Sequence, residues 1–454
     1  MEGVCDVHDW IGFVVSGGSV VLRGVRVFGE SSGTPLDIVI RDGLICSILE
    51  AGSAPGPCVD LTGAWVMPGA IDAHVHPIHN ETLVSTGKVA PAGGVTTVLH
   101  HLYPFDGEAL TDAIHRATSE SLAGTADFGF HVRLVPRTVG EALSDLAGAP
   151  GAVGVKVFLA HSDPSVTCTL GELYTAMRGA AACGLPVIVH AEFGDVVAVR
   201  AQEVAPTTLA EWSEQRPKPL ESACVEAVCA LAGLSGATAY IAHASCAEAV
   251  EAALAARRRG AAVYVETCPH YLYLDTASPL GGLAKVAPPL REASDVVDLR
   301  AAVGGGLVDV VASDHCGYDR EEKSRADMAR SSSGLPGIEA LVRLLLHAAI
   351  EGEWLTPTRM VESLCSGPAR AFGLRGKGHL VVGADADILV LDLSVRKRID
   401  AELFGHNTFY SPYQGMELRG SILQVWRRGL LVAEQSGPVE VGGGTAVATV
   451  RGAH

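Results

Sequence analysis

Between His74 and Asp314, five short apolar runs each carry, toward the C-terminal end, side chains that can bind a metal ion or move a proton. The runs are Ala70–His76, Gly154–Ala160, Pro186–His190, Ala239–His243 and Leu307–Asp314; the side chains are His74 and His76, Lys156, His190, His243 and Asp314. Each run is rich in Val, Ile and Ala and too short for a helix, as expected of strands buried on both faces. Chemistry-bearing residues at the C-terminal ends of several different strands are the arrangement of a (β/α)8 barrel. The expected fold class is therefore α/β, a (β/α)8 TIM-like barrel.

The segments around these runs fit a barrel with an accessory domain. From Pro68 to about Gly373, Ala- and Leu-rich helical stretches recur at Gly107–Leu122, Leu170–Cys183, Ser222–Leu234, Ala247–Arg259, Ser294–Val303 and Ile338–Glu351. Repeated strand–helix alternation implies a parallel sheet. Earlier, Val20–Gly52 alternates β-branched residues with turn signals such as Asp42-Gly43, the pattern of hairpins. Strand patterns return at His379–Val382, Ala386–Leu391, Ile422–Trp426 and Leu430–Ala433. The expected division is residues 1–67 as the N-terminal part of a small β-sandwich domain, 68–377 as a metal-binding barrel, and 378–454 as the C-terminal part of the same β-sandwich, with a loose tail around Gly442–Gly444.

Composition excludes several classes. Among 454 residues, 51 acidic against 34 basic side chains give a formal charge of −17, with no basic patch to neutralise a phosphate backbone, so nucleic acid is not an expected partner. No apolar stretch reaches the length of a membrane span, and Met1–Trp10 lacks the charged-then-apolar start of a secretory signal. Eleven cysteines without paired short spacing fit a reducing compartment, which makes the cytoplasm the expected location.

The side chains themselves leave alternatives. His74 and His76, two apart on a strand, point to one face while Val75 points away, and form either half a metal site or a hydrogen-bonded pair. Lys156 would place an ammonium in a central strand, where an unpaired charge costs several kcal/mol or more. It must be ion-paired to a carboxylate inside the barrel, or have reacted with carbon dioxide to give a carbamate. His190 and His243 are singly ordinary core or loop histidines; together, on successive strands, they supply imidazoles for a second cation. Asp314 is either a helix N-cap or a carboxylate that ligates a cation and takes the proton from a metal-bound water.

Longer stretches resemble a known family. Pro68-Gly69-Ala70-Ile71-Asp72-Ala73-His74-Val75-His76, the lysine strand and Ala312-Ser313-Asp314-His315-Cys316 are similar to the cyclic amidohydrolases of the amidohydrolase superfamily: hydantoinases, dihydropyrimidinases, allantoinases and dihydroorotases. Val189-His190-Ala191-Glu192, His243-Ala244-Ser245-Cys246, Glu266-Thr267-Cys268-Pro269 and Gly334-Leu335-Pro336-Gly337 resemble hydantoinase and dihydropyrimidinase in particular. The resemblance implies two divalent cations, commonly zinc, held by His74, His76, carbamylated Lys156, His190, His243 and Asp314. A hydroxide bridging them would open the amide C–N bond of a cyclic ureide or imide, with Asp314 as proton shuttle. It also implies a homodimer or homotetramer acting on a small cyclic amide. An allantoinase-type ureide hydrolase is the alternative, since Lys285-Val286-Ala287-Pro288-Pro289 and Cys268-Pro269-His270-Tyr271-Leu272 are closer to allantoinase spellings. A non-catalytic scaffold homologue is a further one, disfavoured because all six ligand-type residues survive.

The substrate-contacting positions depart from the hydantoinase pattern. His161 stands where those enzymes place a tyrosine that contacts the reacting carbonyl, and Ala287 and Ser333 replace a serine and an asparagine that read the ring amide. His161 can still donate to a carbonyl, and backbone groups at Ala287 and Ser333 can still bond the ring. Pro77-Ile78-His79-Asn80 follows the histidine pair where dihydroorotases carry an arginine, which argues against that activity. The segment Pro77–Ala92 is short for a substrate lid, and His79, His100 and His101 are expected near the entrance or as hydrogen-bonded histidines.

Overall fold

The computed structural model describes residues 18–450 except 325–327, 402–404, 406, 409, 436 and 440–442. One of its two nine-stranded sheets is parallel throughout and runs, in spatial order, Val310–Val311, Val263–Thr267, Ala239–Ile241, Val187–His190, Ala152–Phe158, Asp127–Arg133, Val95–Leu102, Ala70–His79 and His315–Gly317. The two edge strands are successive pieces of one strand broken at Ala312–Asp314. The first piece pairs with Val263–Thr267 and the second with Ala70–His79, so the sheet closes into an eight-position barrel. Helices fill the crossovers, among them Leu110–Ser121, Leu170–Cys183, Lys218–Ser235, Ala247–Arg258, Ala293–Gly304 and Leu341–Glu351. Thr169 caps the helix Leu170–Cys183 by accepting from the Glu172 amide, with Glu172 bonding back to the cap. No helix among the described residues is long and apolar enough to cross a membrane.

Both ends of the chain form the second sheet, in the order Leu44–Glu50, Leu36–Arg41, Ser19–Val27, Trp65–Pro68, Ile388–Arg398, Glu417–Arg427, Leu430–Glu434 and Gly437–Pro438. Its own apolar core includes Val20, Leu22, Ile38, Ile40, Ile388, Val390 and Trp426. One expected strand is absent: His379–Val382 is irregular, and Val381 and Val382 face solvent. This β-branched run is bounded by Gly378 and Gly383, both at positive φ, and lies too close to these turns to pair. The start of the chain, Met1–Trp10, and Gly442 lie outside the described residues.

The segment 443–450 is not the loose tail expected. Thr445 accepts from the Phe128 amide, and the Val447 amide donates to Phe128, which straps this segment along a barrel strand. Val447 enters the barrel-end cluster with Ile71, Leu99, Val153, Ile188, Tyr240 and Phe372. Gly129 makes the room: a Cβ there would lie 2.9 Å from both Val153 and Val447 side chains.

A buried ion cluster ties strap, barrel and second sheet together. The Lys377 ammonium donates to Asp127 at 2.5 Å and Asp387 at 2.7 Å and pairs with Asp385 at 3.0 Å, while Asp127 also accepts from Arg427 and the Thr445 amide. The three carboxylates could suit a cation, but Lys377 already supplies their charge partner. Removing the ammonium leaves buried Asp387 without a charge partner, and Asp127 and Asp385 with only Arg427 and Arg428. Lys377→Met is therefore expected to cost about 3–5 kcal/mol, read as a lower urea midpoint in equilibrium unfolding; an unchanged midpoint would show that the cluster carries no net stability.

Candidate metal centre

The strand Ala70–His79 brings His74 and His76 into the barrel, with their Nε2 atoms 3.1 Å apart. Asp314 Oδ1 lies 3.2 Å from His74 Nε2 and 3.1 Å from His76 Nε2. Across the barrel, His190 Nδ1 is 3.1 Å from His243 Nε2. His243 and Asp314 stand just beyond their strands, both in the left-handed region at φ +41° and +49°. Such backbone is costly for residues with a Cβ and is typical of positions held for function.

Carboxylates behind the imidazoles set their protons. Glu266, fully buried on the strand Val263–Thr267, accepts from His74 Nδ1 at 2.7 Å, from Tyr240 Oη at 2.7 Å and from the His243 amide at 2.9 Å. With its Nδ1–H donating to Glu266, His74 presents a lone pair at Nε2. Glu192 does the same for His190, accepting from Nε2 at 2.7 Å and leaving Nδ1 as the lone pair. Burial alone would raise the Glu192 carboxyl, but Arg216 beside it, with His190, holds it down at about 2. Tyr103 Oη bonds His76 Nδ1. Burial pushes the His74 and His243 imidazoles well below their ordinary range and His76 below it too, which favours the neutral, ligand-competent form.

Lys156 lies in the same lumen with no solvent exposure. Among the described residues its Nζ has no hydrogen-bond partner and no carboxylate within ion-pair distance, so the ion-paired alternative finds no partner there. Its Nζ stands over the Phe158 ring, 4.9 Å from the centroid. Burial draws the ammonium down from its ordinary value and pushes the Glu266 carboxyl up.

Without a cation this arrangement is poorly compensated. Among His74 Nε2, His76 Nε2 and Asp314 Oδ1 there is room for one proton, on His76 when Tyr103 donates to its Nδ1. The His74 lone pair and the Asp314 carboxylate then face each other at 3.2 Å. Imidazole nitrogens and carboxylate oxygens are the donors that divalent first-row metals take. The residues present fit a metal centre.

A cavity of about 410 Å³ opens onto His76, His190, His243 and Asp314. His161, Ala287 and Ser333 all line it. His161 Nδ1 accepts from the Asp163 amide at 3.0 Å, which leaves Nε2–H as the donor. It stands on the exposed rim, yet partial burial, with His190 and Arg133 nearby, pulls its imidazole down to about 4. The entrance histidines divide three ways. His79 stacks on Tyr318 at 3.9 Å, and His100 faces out of the barrel onto Thr86 Oγ1 at 2.8 Å. His101 lies in the lumen with no exposure. The sequence alone gave no role to Glu266 or Tyr103, and His101, expected at the entrance or in a hydrogen bond, is instead buried with neither ring nitrogen partnered among the described residues. A glutamate inside an apolar strand signals Glu266, whereas nothing local distinguishes Tyr103.

A closed parallel barrel with imidazoles, a lysine and an aspartate at the C-terminal ends of its strands defines a metal-dependent hydrolase class, and comparison with known proteins agrees. The model of the amidohydrolase family matches residues 65–432, and the chain belongs to that family. Membership implies a binuclear divalent metal centre. The chain is 34% identical over 441 residues to an allantoinase of Rubrobacter xylanophilus, covering 93% of this chain and 94% of that protein. It is 30% identical over 435 residues to an L-hydantoinase of Paenarthrobacter aurescens, covering 92% and 94%. The solved structure of L-hydantoinase (dihydropyrimidinase) from Arthrobacter aurescens superposes with a TM-score of 0.89 at 30% identity, covering 94% of this chain and 99% of that one. The resemblance to cyclic amidohydrolases read from the motifs is borne out.

Glu266→Gln keeps volume and the bond to His74 but removes the charge that makes His74 basic. Metal retention, measured by competition with a chromophoric chelator, is expected to weaken about 10–100-fold. Unchanged retention would deny Glu266 that role.

Proposed function

We propose that this protein hydrolyses the amide C–N bond of a cyclic ureide or imide, at a centre in which His74, His76, Lys156, His190, His243 and Asp314 hold two divalent cations. The observation that carries this reading is the convergence of imidazole nitrogens and the Asp314 carboxylate along the wall of a 410 Å³ cavity. Bound there, the cations would supply Lewis-acid polarisation of the ring carbonyl and an acidified water. We assign zinc, because imidazole nitrogens dominate the donor set. We assign a carbamate to Lys156, formed when its amine nitrogen bonds the carbon of CO2 and releases one proton. That product replaces a partnerless buried amine by an anion able to bridge two cations.

The chain's own residues divide the remaining work. Asp314, on the cavity wall, takes the proton of the attacking water and returns it to the ring nitrogen as the C–N bond breaks, giving a ring-opened carbamoyl or amide acid. His161, with Nε2–H free, donates to the ring carbonyl as a neutral imidazole. Backbone groups at Ala287 and Ser333 read the ring amide in place of side chains. The same reading carries a cytoplasmic homodimer or homotetramer, its mass measurable by light scattering.

The test is ring opening by metal-loaded protein in bicarbonate on hydantoin, a 5-substituted hydantoin, dihydrouracil, allantoin and dihydroorotate. Turnover of one or more is expected, falling by about 10²–10⁴-fold or more in Asp314→Asn. Turnover of allantoin alone would move the reading to the allantoinase-type reaction. No turnover by protein carrying two metals per chain would discard all five rings.

A further inference from the structure

We propose that His101 is an additional ligand of the metal centre, binding the cation held by His74 and His76. The proposal rests on the dinuclear reading above and adds a donor outside its six-residue set. On the strand Val95–Leu102, alternation puts Leu99 and His101 on one face and His100 on the other. Leu99 belongs to the cluster that fills the barrel end, and His100 bonds outward to Thr86. His101 is thereby aimed into the lumen.

Two independent observations point to a cation. The His101 ring lies 4.3 Å from that of His74 and stacks on that of His76 at 4.6 Å and 16°, and ligand nitrogens of all three lie within 4.8 Å of one another. Separately, His101 has no exposure, and neither of its ring nitrogens has a hydrogen-bond partner among the described residues. A neutral imidazole always carries one N–H and one lone pair, and leaving these unmet in a buried site is destabilising. A cation would satisfy the lone pair. Nitrogens at about 2.0–2.1 Å from a tetrahedral cation lie roughly 3.4 Å apart, so to bind, His101 must close toward His74 and turn its ring edge out of the stack with His76. Three neutral imidazoles on one cation, against two on the other, would also make the two positions unequal in affinity.

His101→Phe keeps a ring of similar shape and removes both nitrogens. In the metal-loaded full-length protein, we expect the tighter of two zinc dissociation constants to rise tenfold or more, equivalent to about 1.4 kcal/mol, while the weaker one holds. The visible spectrum of the one-equivalent cobalt(II) form should shift as well, which a packing role for the ring would not produce. The thermal midpoint of the metal-free variant should equal or exceed that of wild type, because a partnerless buried imidazole is gone. A readout without any variant is X-ray absorption of the wild-type one-equivalent zinc form, where three imidazoles support the proposal and two overturn it. Two-metal wild type with unchanged constants and an unchanged cobalt spectrum in His101→Phe would overturn the proposal and leave the dinuclear reading standing. Wild type that binds fewer than two divalent cations would remove that reading and this proposal with it.

Discussion

The electrostatic problem at the centre of this barrel is the crowding of groups that accept rather than donate. His74 Nε2 and Asp314 Oδ1 face each other at 3.2 Å, and His190 Nδ1 presents a lone pair to His243 at 3.1 Å. In water such groups would separate. Here both histidines are fixed from behind: Glu266 and Glu192 accept from the N–H groups on the far sides of His74 and His190, and Arg216 keeps Glu192 ionised. Satisfying each outer nitrogen commits the inner one to a lone pair, so the carboxylates leave both histidines competent to bind a cation.

Holding that crowd requires a frame that does not relax. The eighth strand breaks at Ala312–Asp314, and the break puts Asp314 at the seam where the sheet closes. Closure there depends on both halves pairing, so the aspartate cannot withdraw without opening the barrel. At the opposite end, Val447 and Phe372 plug the lumen, and Lys377 gathers Asp127, Asp385 and Asp387 from barrel and second sheet. The polar site and the apolar plug thus occupy opposite ends of one lumen, which keeps water from reaching the centre from below.

Much of this was legible in the sequence because strand ends and chemistry coincide there. Apolar runs ending in His, Lys or Asp located the barrel strands to within a few residues, and the helix Leu170–Cys183 falls where its composition puts it. Local pattern failed where long-range partners decide. His379–Val382 has strand composition but no neighbour to pair with, and residues 443–450 look like a tail yet find a groove made by Gly129. His100 and His101 differ only in parity on their strand, and which parity faces the lumen is set by the whole closed sheet. The role of Glu266 depends on His74, 192 residues away.

The substrate side follows from the same economy. On the proposed function, Ala287 and Ser333 would leave ring recognition to the main chain, which is specific only if the backbone is rigid. Two buried lysines supply that rigidity. Lys323 Nζ donates to the carbonyls of Lys285 and Ser332 at 2.6 Å each, and Lys285 Nζ donates to those of Met328 and Ser331 at 2.7 Å each. Each lysine thus crosses between the segment holding Ala287 and the segment holding Ser333. Carbonyls that accept these bonds are committed to the lysines. The peptide groups left to face a ring are therefore selected by the lysines behind them, and a change at Lys323, outside the cavity lining, would reach the substrate through the backbone.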